Sequence, residues 1–259
     1  MICYTYFYVD KCKGGISSLI KQLKDELLTD RWKSIFASAL ILLIAWSYAP
    51  FAYVVGISGN HFDTNMGWLF AYEVFIGLAV TLIFYGHFKS YLAMVPIALS
   101  AVLACLGFHK ELVIMGLLLL LPIFLFLSQT PWLDFNNWYG LLSFGLLVSL
   151  SIGSVCAFSS LHFISWEIVS FLLPVMASCW FFMAPFFLEK QSWSFPIITI
   201  LGIILIALCF TRTLRWQLYL AIIITLCAWL LLLFNRHRHP SFILFSLTQM
   251  LVIVLIYWN

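Results

Sequence analysis

Charged residues are scarce in this chain: Asp, Glu, Lys and Arg make up 9% of its 259 residues. A soluble domain carries about 25% charged residues, because polar groups must cover its surface. Hydrophobic residues account for 64% of the sequence, and the mean hydropathy is +1.07. These proportions exclude a soluble enzyme, a nucleic-acid-binding module, a disordered protein and a disulfide-stapled secreted domain. Lipid must therefore solvate most of the chain.

Familiar catalytic and cofactor motifs are also absent from the sequence. It contains no G-x-x-x-x-G-K-[ST] phosphate loop, no G-x-S-x-G nucleophile elbow and no dinucleotide-binding fingerprint. Its seven cysteines include no C-x-x-C pair, and most lie in apolar runs, where cysteine packs as a small hydrophobic residue. We therefore predict no cofactor. Any ATP hydrolysis that serves this protein must come from another chain.

Long apolar runs fill the sequence after residue 33. A helix needs about 20 apolar residues to cross a hydrocarbon core of roughly 30 Å. By this measure the sequence predicts nine transmembrane helices, at residues 34–56, 67–87, 90–108, 112–128, 138–159, 164–187, 195–211, 217–234 and 241–258. The runs are continuously apolar rather than alternating, which favours helices over strands. The predicted fold is an all-α, polytopic helix bundle that forms a single membrane domain over residues 34–259.

The positions of Lys and Arg predict an orientation for this bundle. If the N-terminus is cytoplasmic and nine segments span, ten of the thirteen basic residues lie on the inner side. The other three are Lys110, Arg212 and Arg215, which would face outwards. Because basic loops are retained on the cytoplasmic side of membranes, this orientation is preferred over its inverse. We expect an integral membrane protein with a cytoplasmic N-terminus and with membrane lipid as a partner.

Residues 1–33 form a cytoplasmic N-terminal segment of different character. Within it, Ile16, Leu19, Ile20, Leu23 and Leu27 recur at helical spacing, opposite a charged face. This pattern predicts an amphipathic helix over residues 16–33 that lies in the inner membrane interface. Two interpretations of this helix are open: it is a topogenic anchor, or it is a docking site for a cytoplasmic or membrane partner.

Ionisable side chains within the apolar runs are candidates for function, because each costs at least about 2.5 kcal/mol to insert. Glu73 is the deepest of them, and Glu167 lies just inside the sixth span, one turn after His162. These three residues are the candidate catalytic groups. The outer loops add four candidate metal ligands, His61, Asp63, His109 and Glu111. Imidazole and carboxylate groups bind divalent metals or relay protons. No H-E-x-x-H spacing supports a metal site, however. The alternative interpretation is that these polar side chains only solvate the ends of the helices.

The fifth predicted span is rich in small residues. It contains Gly140, Gly145 and Gly153 together with Ser143, Ser149, Ser151 and Ser154. Such a face packs closely against another helix or lines a polar path. We therefore expect the fifth helix to be central in the bundle. Prolines also fall within predicted spans, where helix kinks without a functional role are the default expectation, at Pro50, Pro96, Pro122, Pro174 and Pro185.

The stretch from Ser17 to Tyr53, SSLIKQLKDELLTDRWKSIFASALILLIAWSYAPFAY, resembles the start of ABC-2-type permease subunits. In that family an interfacial helix rich in Lys and Glu precedes the first span. The small permeases of bacterial peptide export and self-immunity systems have a similar length. The resemblance implies the membrane half of an exporter in the bacterial cytoplasmic (inner) membrane. It also implies a separate ATPase that docks on residues 16–33.

Three functions are consistent with these observations. The first is a transport subunit that moves a peptide or a small amphipathic molecule with energy from a partner chain. The second is a membrane-embedded acyl or glycolipid transferase that uses the outer His and carboxylate groups. The third is a non-catalytic assembly or immunity factor. We favour transport, and therefore a protein that is not itself an enzyme.

Overall fold

A computed structural model describes residues 32–58, 65–130, 133, 135–153, 155–156, 158, 166–188, 194–212, 215–234 and 241–258. Over these residues all regular secondary structure is helical, which confirms the predicted all-α class. The helices are α1 (Trp32–Ser58), α2 (Asn65–Tyr85), α3 (Met94–Gly107), α4 (Leu112–Ser128), α5 (Trp138–Val148), α6 (Trp166–Phe187), α7 (Ser194–Cys209), α8 (Trp216–Phe234) and α9 (Phe242–Tyr257). A π-helical turn, Ser149–Gly153, continues α5. The amphipathic helix predicted over 16–33 lies outside the described residues, except for Trp32 and Lys33 at the start of α1.

Four of these helices, α1, α2, α6 and α8, are long and apolar enough to cross a membrane. They are compatible with an integral membrane protein, but they are fewer than the nine spans predicted. The other five described helices have at most 17 residues, and α3 has 14. A 17-residue helix rises about 26 Å, short of a hydrocarbon core of about 30 Å. The predicted run at 112–128 coincides with α4, whereas the run at 90–108 is longer than α3 because it includes the turn before Met94, which is apolar too.

Helix α1 lies inside the bundle, packed against α2, α6, α9 and the π-helical turn. Its buried face is built from Leu42, Ala45, Trp46 and Ala49. Small residues one turn apart let neighbouring backbones approach closely. Helix α2 approaches α1 closely at Gly77, where an added Cβ would lie 2.9 Å from the backbone oxygen of Ala39. The first two helices are therefore joined by backbone proximity as well as by side chains.

Phenylalanines pack together where the end of α2 meets α5, α6 and α9. The ring of Phe84 lies 5.4 Å from that of Phe187 and 5.2 Å from that of Phe242. Phe88 follows in a turn where its own φ is 61° and that of His87 is 48°. A left-handed backbone costs roughly 1–2 kcal/mol for a residue with a Cβ. Burial of the Phe88 ring, 5.1 Å from that of Phe187, offsets this cost.

Candidate functional site

Glu73 lies in the middle of α2 and is completely buried, at 0% exposure. Neither of its carboxyl oxygens has a hydrogen-bond partner in the described part of the chain. The preceding residue, Tyr72, is also buried, and its hydroxyl donates to the backbone oxygen of Leu118 in α4. A polar group buried without a partner costs free energy, and a carboxyl costs more than most. Glu73 is therefore a group that the fold accommodates rather than one that stabilises it.

Two polar side chains from other segments lie beside Glu73. Ser47 of α1 is adjacent to the carboxyl, but its hydroxyl donates back to the Leu43 carbonyl of its own helix. The thiol of Cys156, which follows the π-helical turn, is close enough to interact electrostatically with the carboxyl. A carboxyl in this setting is able to hold a proton, a cation or a basic group of a substrate.

A second set of polar groups includes Trp46, which directly precedes Ser47 on α1 and therefore lies at the same level of the bundle. The amide of Gln249 in α9 donates to the thiol of Cys179 at 3.3 Å and to the hydroxyl of Ser178 at 3.4 Å. The Trp46 indole lies beside the same thiol. Together these residues form the interior polar cluster: Trp46, Ser47, Glu73, Cys156, Ser178, Cys179 and Gln249. Its two parts are linked through the adjacent Trp46 and Ser47, and its members belong to α1, α2, α6, α9 and the segment after the π-helical turn.

The π-helical turn after α5 brings Cys156 to this cluster. A π turn arises where an extra residue is inserted into a helix, and such turns occur frequently at functional sites. The hydroxyl of Ser151 donates to the backbone oxygen of Leu117 in α4, which anchors the turn. As the small-residue pattern predicts, this helix packs closely: added Cβ atoms at Gly145 and Gly153 would overlap the side chains of Trp180 and Leu172 in α6.

The structure places the sequence candidates in different surroundings. Glu73 is buried, whereas Glu167 is exposed in the first turn of α6, where a negative charge complements the helix dipole. His109 is exposed, with Nδ1 3.1 Å from the Leu106 carbonyl oxygen, and Glu111 immediately precedes α4. The remaining candidates, His61, Asp63 and His162, lie outside the described residues.

The described residues contain no metal centre built from the outer His and carboxylate groups. Within the ranges given above, no group of three or more His, Cys, Asp or Glu is placed to hold a metal ion. His109 and Glu111 therefore do not form such a centre with other described ligands. A shared outer site stays a prediction that depends on His61, Asp63 and His162.

Sequence reasoning missed the polar groups that accompany Glu73. Gln249, Cys179 and Ser178 are uncharged, so a search for ionisable residues passes over them. The sequence feature that indicates them is Gln249, an amide in the middle of an apolar run. A buried amide needs hydrogen-bond partners, and here a neighbouring helix must supply them. Which helix supplies those partners depends on the packing of α9 against α6, which the sequence does not display.

Comparison with known proteins adds no relative from which a role could be carried over. No protein family, no curated protein and no solved structure matches this chain.

Proposed function

We propose that this chain is the membrane-embedded subunit of a transport system and that its substrate, or a coupling cation, interacts with Glu73. One observation carries the proposal, namely the fully buried carboxyl that has no hydrogen-bond partner among the described residues. In membrane proteins, ionisable groups inside a helix bundle are typical of substrate and ion pathways. The other side chains of the interior polar cluster extend that pathway between α1, α2, α6 and α9.

Prolines and a π-helical turn in the helices that carry the cluster support transport. Pro50 lies within α1, Pro174 and Pro185 lie within α6, and the π-helical turn interrupts the fifth helix. Transporters often bind substrates where helices are broken, because freed backbone groups then face the pathway. The π-helical turn packs against both α1 and α6, the two helices that carry these prolines.

The proposal includes the membrane arrangement predicted from the sequence. All nine described helices cross a bacterial cytoplasmic membrane, with the N-terminus in the cytoplasm. The short helices cross where the bilayer thins or where apolar turns extend them. The substrate is a peptide or a small amphipathic molecule, and a separate ATPase that docks on residues 16–33 supplies the energy.

Export in the native host tests this function. A strain lacking the chromosomal copy is complemented with the wild-type chain, with Glu73→Gln or with Glu167→Gln. The measured quantity is the cellular accumulation of a panel of fluorescent amphipathic peptides, with and without ATP depletion. We expect the wild-type chain and Glu167→Gln to lower the accumulation of at least one peptide in an ATP-dependent manner. Glu73→Gln should behave like the deletion strain at equal protein level.

The Glu167→Gln variant is a matched control, because it removes a carboxyl that is exposed at a helix end. Two results would contradict the proposal. One is export by Glu73→Gln at the wild-type rate. The other is equal accumulation of every peptide in the deletion and wild-type strains.

A further inference from the structure

The turn between α7 and α8 carries two arginines beside a polar cavity. Its volume is about 280 Å³, and its lining includes Arg212, Arg215, Gln217, Tyr257 and Trp258. The cavity lies where α7 ends, α8 begins and α9 ends. It is distinct from the interior polar cluster, with which it shares no lining residue.

Arg212 is held in place by the backbone of α6. Its guanidinium donates to the carbonyl oxygen of Phe171 at 2.6 Å and lies 4.2 Å from the centre of the Phe171 ring. Its second ring neighbour is Tyr257, at 5.2 Å, whose hydroxyl donates to the same carbonyl. Pro174 contributes to this arrangement, because a proline has no N–H for the carbonyl of Ser170 four residues earlier. Arg212 reaches that oxygen at 3.5 Å.

The positive charge of this cavity is not neutralised by the described residues. Among them, no carboxylate pairs with Arg212, and the exposed side chain of Arg215 has no partner. The Nε atom of Arg212 and the Oε1 atom of Gln217 are buried and have no hydrogen-bond partner there. A guanidinium that is fixed on one side and open on another binds phosphate or carboxylate through charge-assisted hydrogen bonds.

The surroundings place this charge at the level of lipid headgroups. Exposed tryptophans stand at the three neighbouring helix ends: Trp166 begins α6, Trp216 begins α8 and Trp258 follows α9. Tryptophan is enriched at the membrane–water boundary. In the predicted topology both arginines also face outwards, against the general bias of basic residues. An anionic ligand on the outer side explains why Arg212 and Arg215 lie there, although basic residues are generally retained on the inner side.

An apolar groove of about 230 Å³ lies further along α7 and α8. Ile203 and Ile206 of α7 and Thr225 and Trp229 of α8 line it. On α8, Leu218 lines the polar cavity and Thr225, seven residues later, lines the groove. Residues seven apart lie on the same face of a helix, so the cavity and the groove share one face of α8. The rise from Trp216 to Thr225 is roughly 14 Å, within the length of an acyl chain.

We infer that the Arg212–Arg215 cavity binds a phosphate-bearing anion, supplied by an anionic phospholipid whose acyl chain lies in the groove between α7 and α8. The two arginines hold the phosphate. Gln217 accepts a hydrogen bond from the headgroup, and Trp258 covers its edge. The groove selects a lipid over a free phosphate, because its lining is almost entirely apolar. This inference does not depend on the proposed transport function.

Lipid binding by the purified full chain tests the phosphate site. Phosphatidylglycerol and phosphatidylcholine are titrated separately into detergent-solubilised protein, and bound lipid is counted by native mass spectrometry. We expect Arg215→Gln to weaken phosphatidylglycerol binding about tenfold, the effect of losing one charge-assisted hydrogen bond. Phosphatidylcholine binding should change less. Lys110→Gln is the matched control, because Lys110 is also an exposed base in a turn on the predicted outer side.

Arg215 is the residue to change because Arg212 also holds the backbone of α6, so its loss would disturb folding. Equal phosphatidylglycerol affinity in the wild type and Arg215→Gln would overturn the inference.

A second pair of variants tests the acyl-chain groove. Ile203→Trp fills the groove, whereas Ile200→Trp adds the same bulk at an exposed position one turn earlier that does not line it. We expect the first to weaken phosphatidylglycerol binding severalfold and the second to leave it unchanged. Inorganic phosphate is the competing ligand. If phosphate alone raises the melting temperature through Arg215 and Ile203→Trp has no effect on lipid binding, the lipid assignment is wrong and the ligand is a soluble phosphate.

Discussion

The hydroxyl of Tyr72 donates a 2.8 Å hydrogen bond to the backbone oxygen of Leu118, joining α2 to α4. Pro122 stands four residues after Leu118 and has no N–H, so this carbonyl lacks its usual partner within the helix. Tyr72 supplies the missing bond. Successive residues of a helix are rotated by about 100°, so fixing Tyr72 towards α4 turns Glu73 away from it. The carboxyl then lies beside Ser47 of α1.

Replacing Tyr72 with Phe should lower the free energy of unfolding by about 1–3 kcal/mol, because the Leu118 carbonyl is left buried without its partner. The loss should be smaller in a Pro122→Ala background, since an alanine at that position restores an N–H within α4. SDS-induced unfolding of the two single variants and the double variant measures this coupling. Tyr219→Phe, at an exposed position, is the control and should be neutral. Equal losses in both backgrounds would show that Tyr72 does not compensate for Pro122.

Replacing Glu73 with Leu should raise the free energy of unfolding by about 1–3 kcal/mol, because the buried carboxyl has no described partner to lose. The same variant should abolish peptide export. This combination separates a functional residue from a structural one, whose loss would destabilise the fold. Thermal unfolding in detergent gives the stability, and Glu167→Leu serves as the exposed control. A lower melting temperature for Glu73→Leu would mean that the carboxyl contributes to the fold.

Replacing Gly145 with Ala should destabilise the bundle by about 1–3 kcal/mol, because the added methyl overlaps the indole of Trp180. That indole donates to the Leu142 carbonyl at 3.1 Å and is not free to move away without breaking the bond. Gly116→Ala is the matched control. A Cβ at Gly116 meets no atom within 4 Å, so this change should stabilise α4 slightly. If both variants melt alike, α5 and α6 pack less closely than the structure indicates.

The sequence predicts the parts of this protein that depend on local pattern. A lone carboxylate in an apolar run identified Glu73, and clustered glycines identified the close packing of α5. The Tyr72–Leu118 bond could not be predicted, because its partners are 46 residues apart and belong to helices whose adjacency is set by packing. For the same reason the partners of Gln249 were missed. Helix ends were misplaced where the turns are themselves apolar, since hydropathy does not register the end of a helix.

Reporter fusions test the membrane arrangement. Alkaline phosphatase, which is active outside the cytoplasm, should be active when fused after Lys110 or Arg212 and inactive after Lys89. Green fluorescent protein should give the opposite result, because it fluoresces in the cytoplasm. The Lys110 fusion is the decisive one, since α3 has 14 residues and rises only about 21 Å. An inactive phosphatase at Lys110 together with an active one at Arg212 would show that α3 and α4 enter the membrane without crossing it.

Charge reversal in the N-terminal segment tests whether this chain receives energy from a partner. Lys21→Glu combined with Lys24→Glu reverses two charges on the polar face of the predicted helix and leaves its apolar face intact. We expect this variant to insert normally but to lose both ATP-dependent peptide export and the ATPase that co-purifies with the wild-type chain. Lys11→Glu combined with Lys13→Glu makes the same charge change outside residues 16–33 and should keep both. If the two double variants behave alike, the segment acts as a topogenic anchor, because an anchor depends on total positive charge rather than on a docking face.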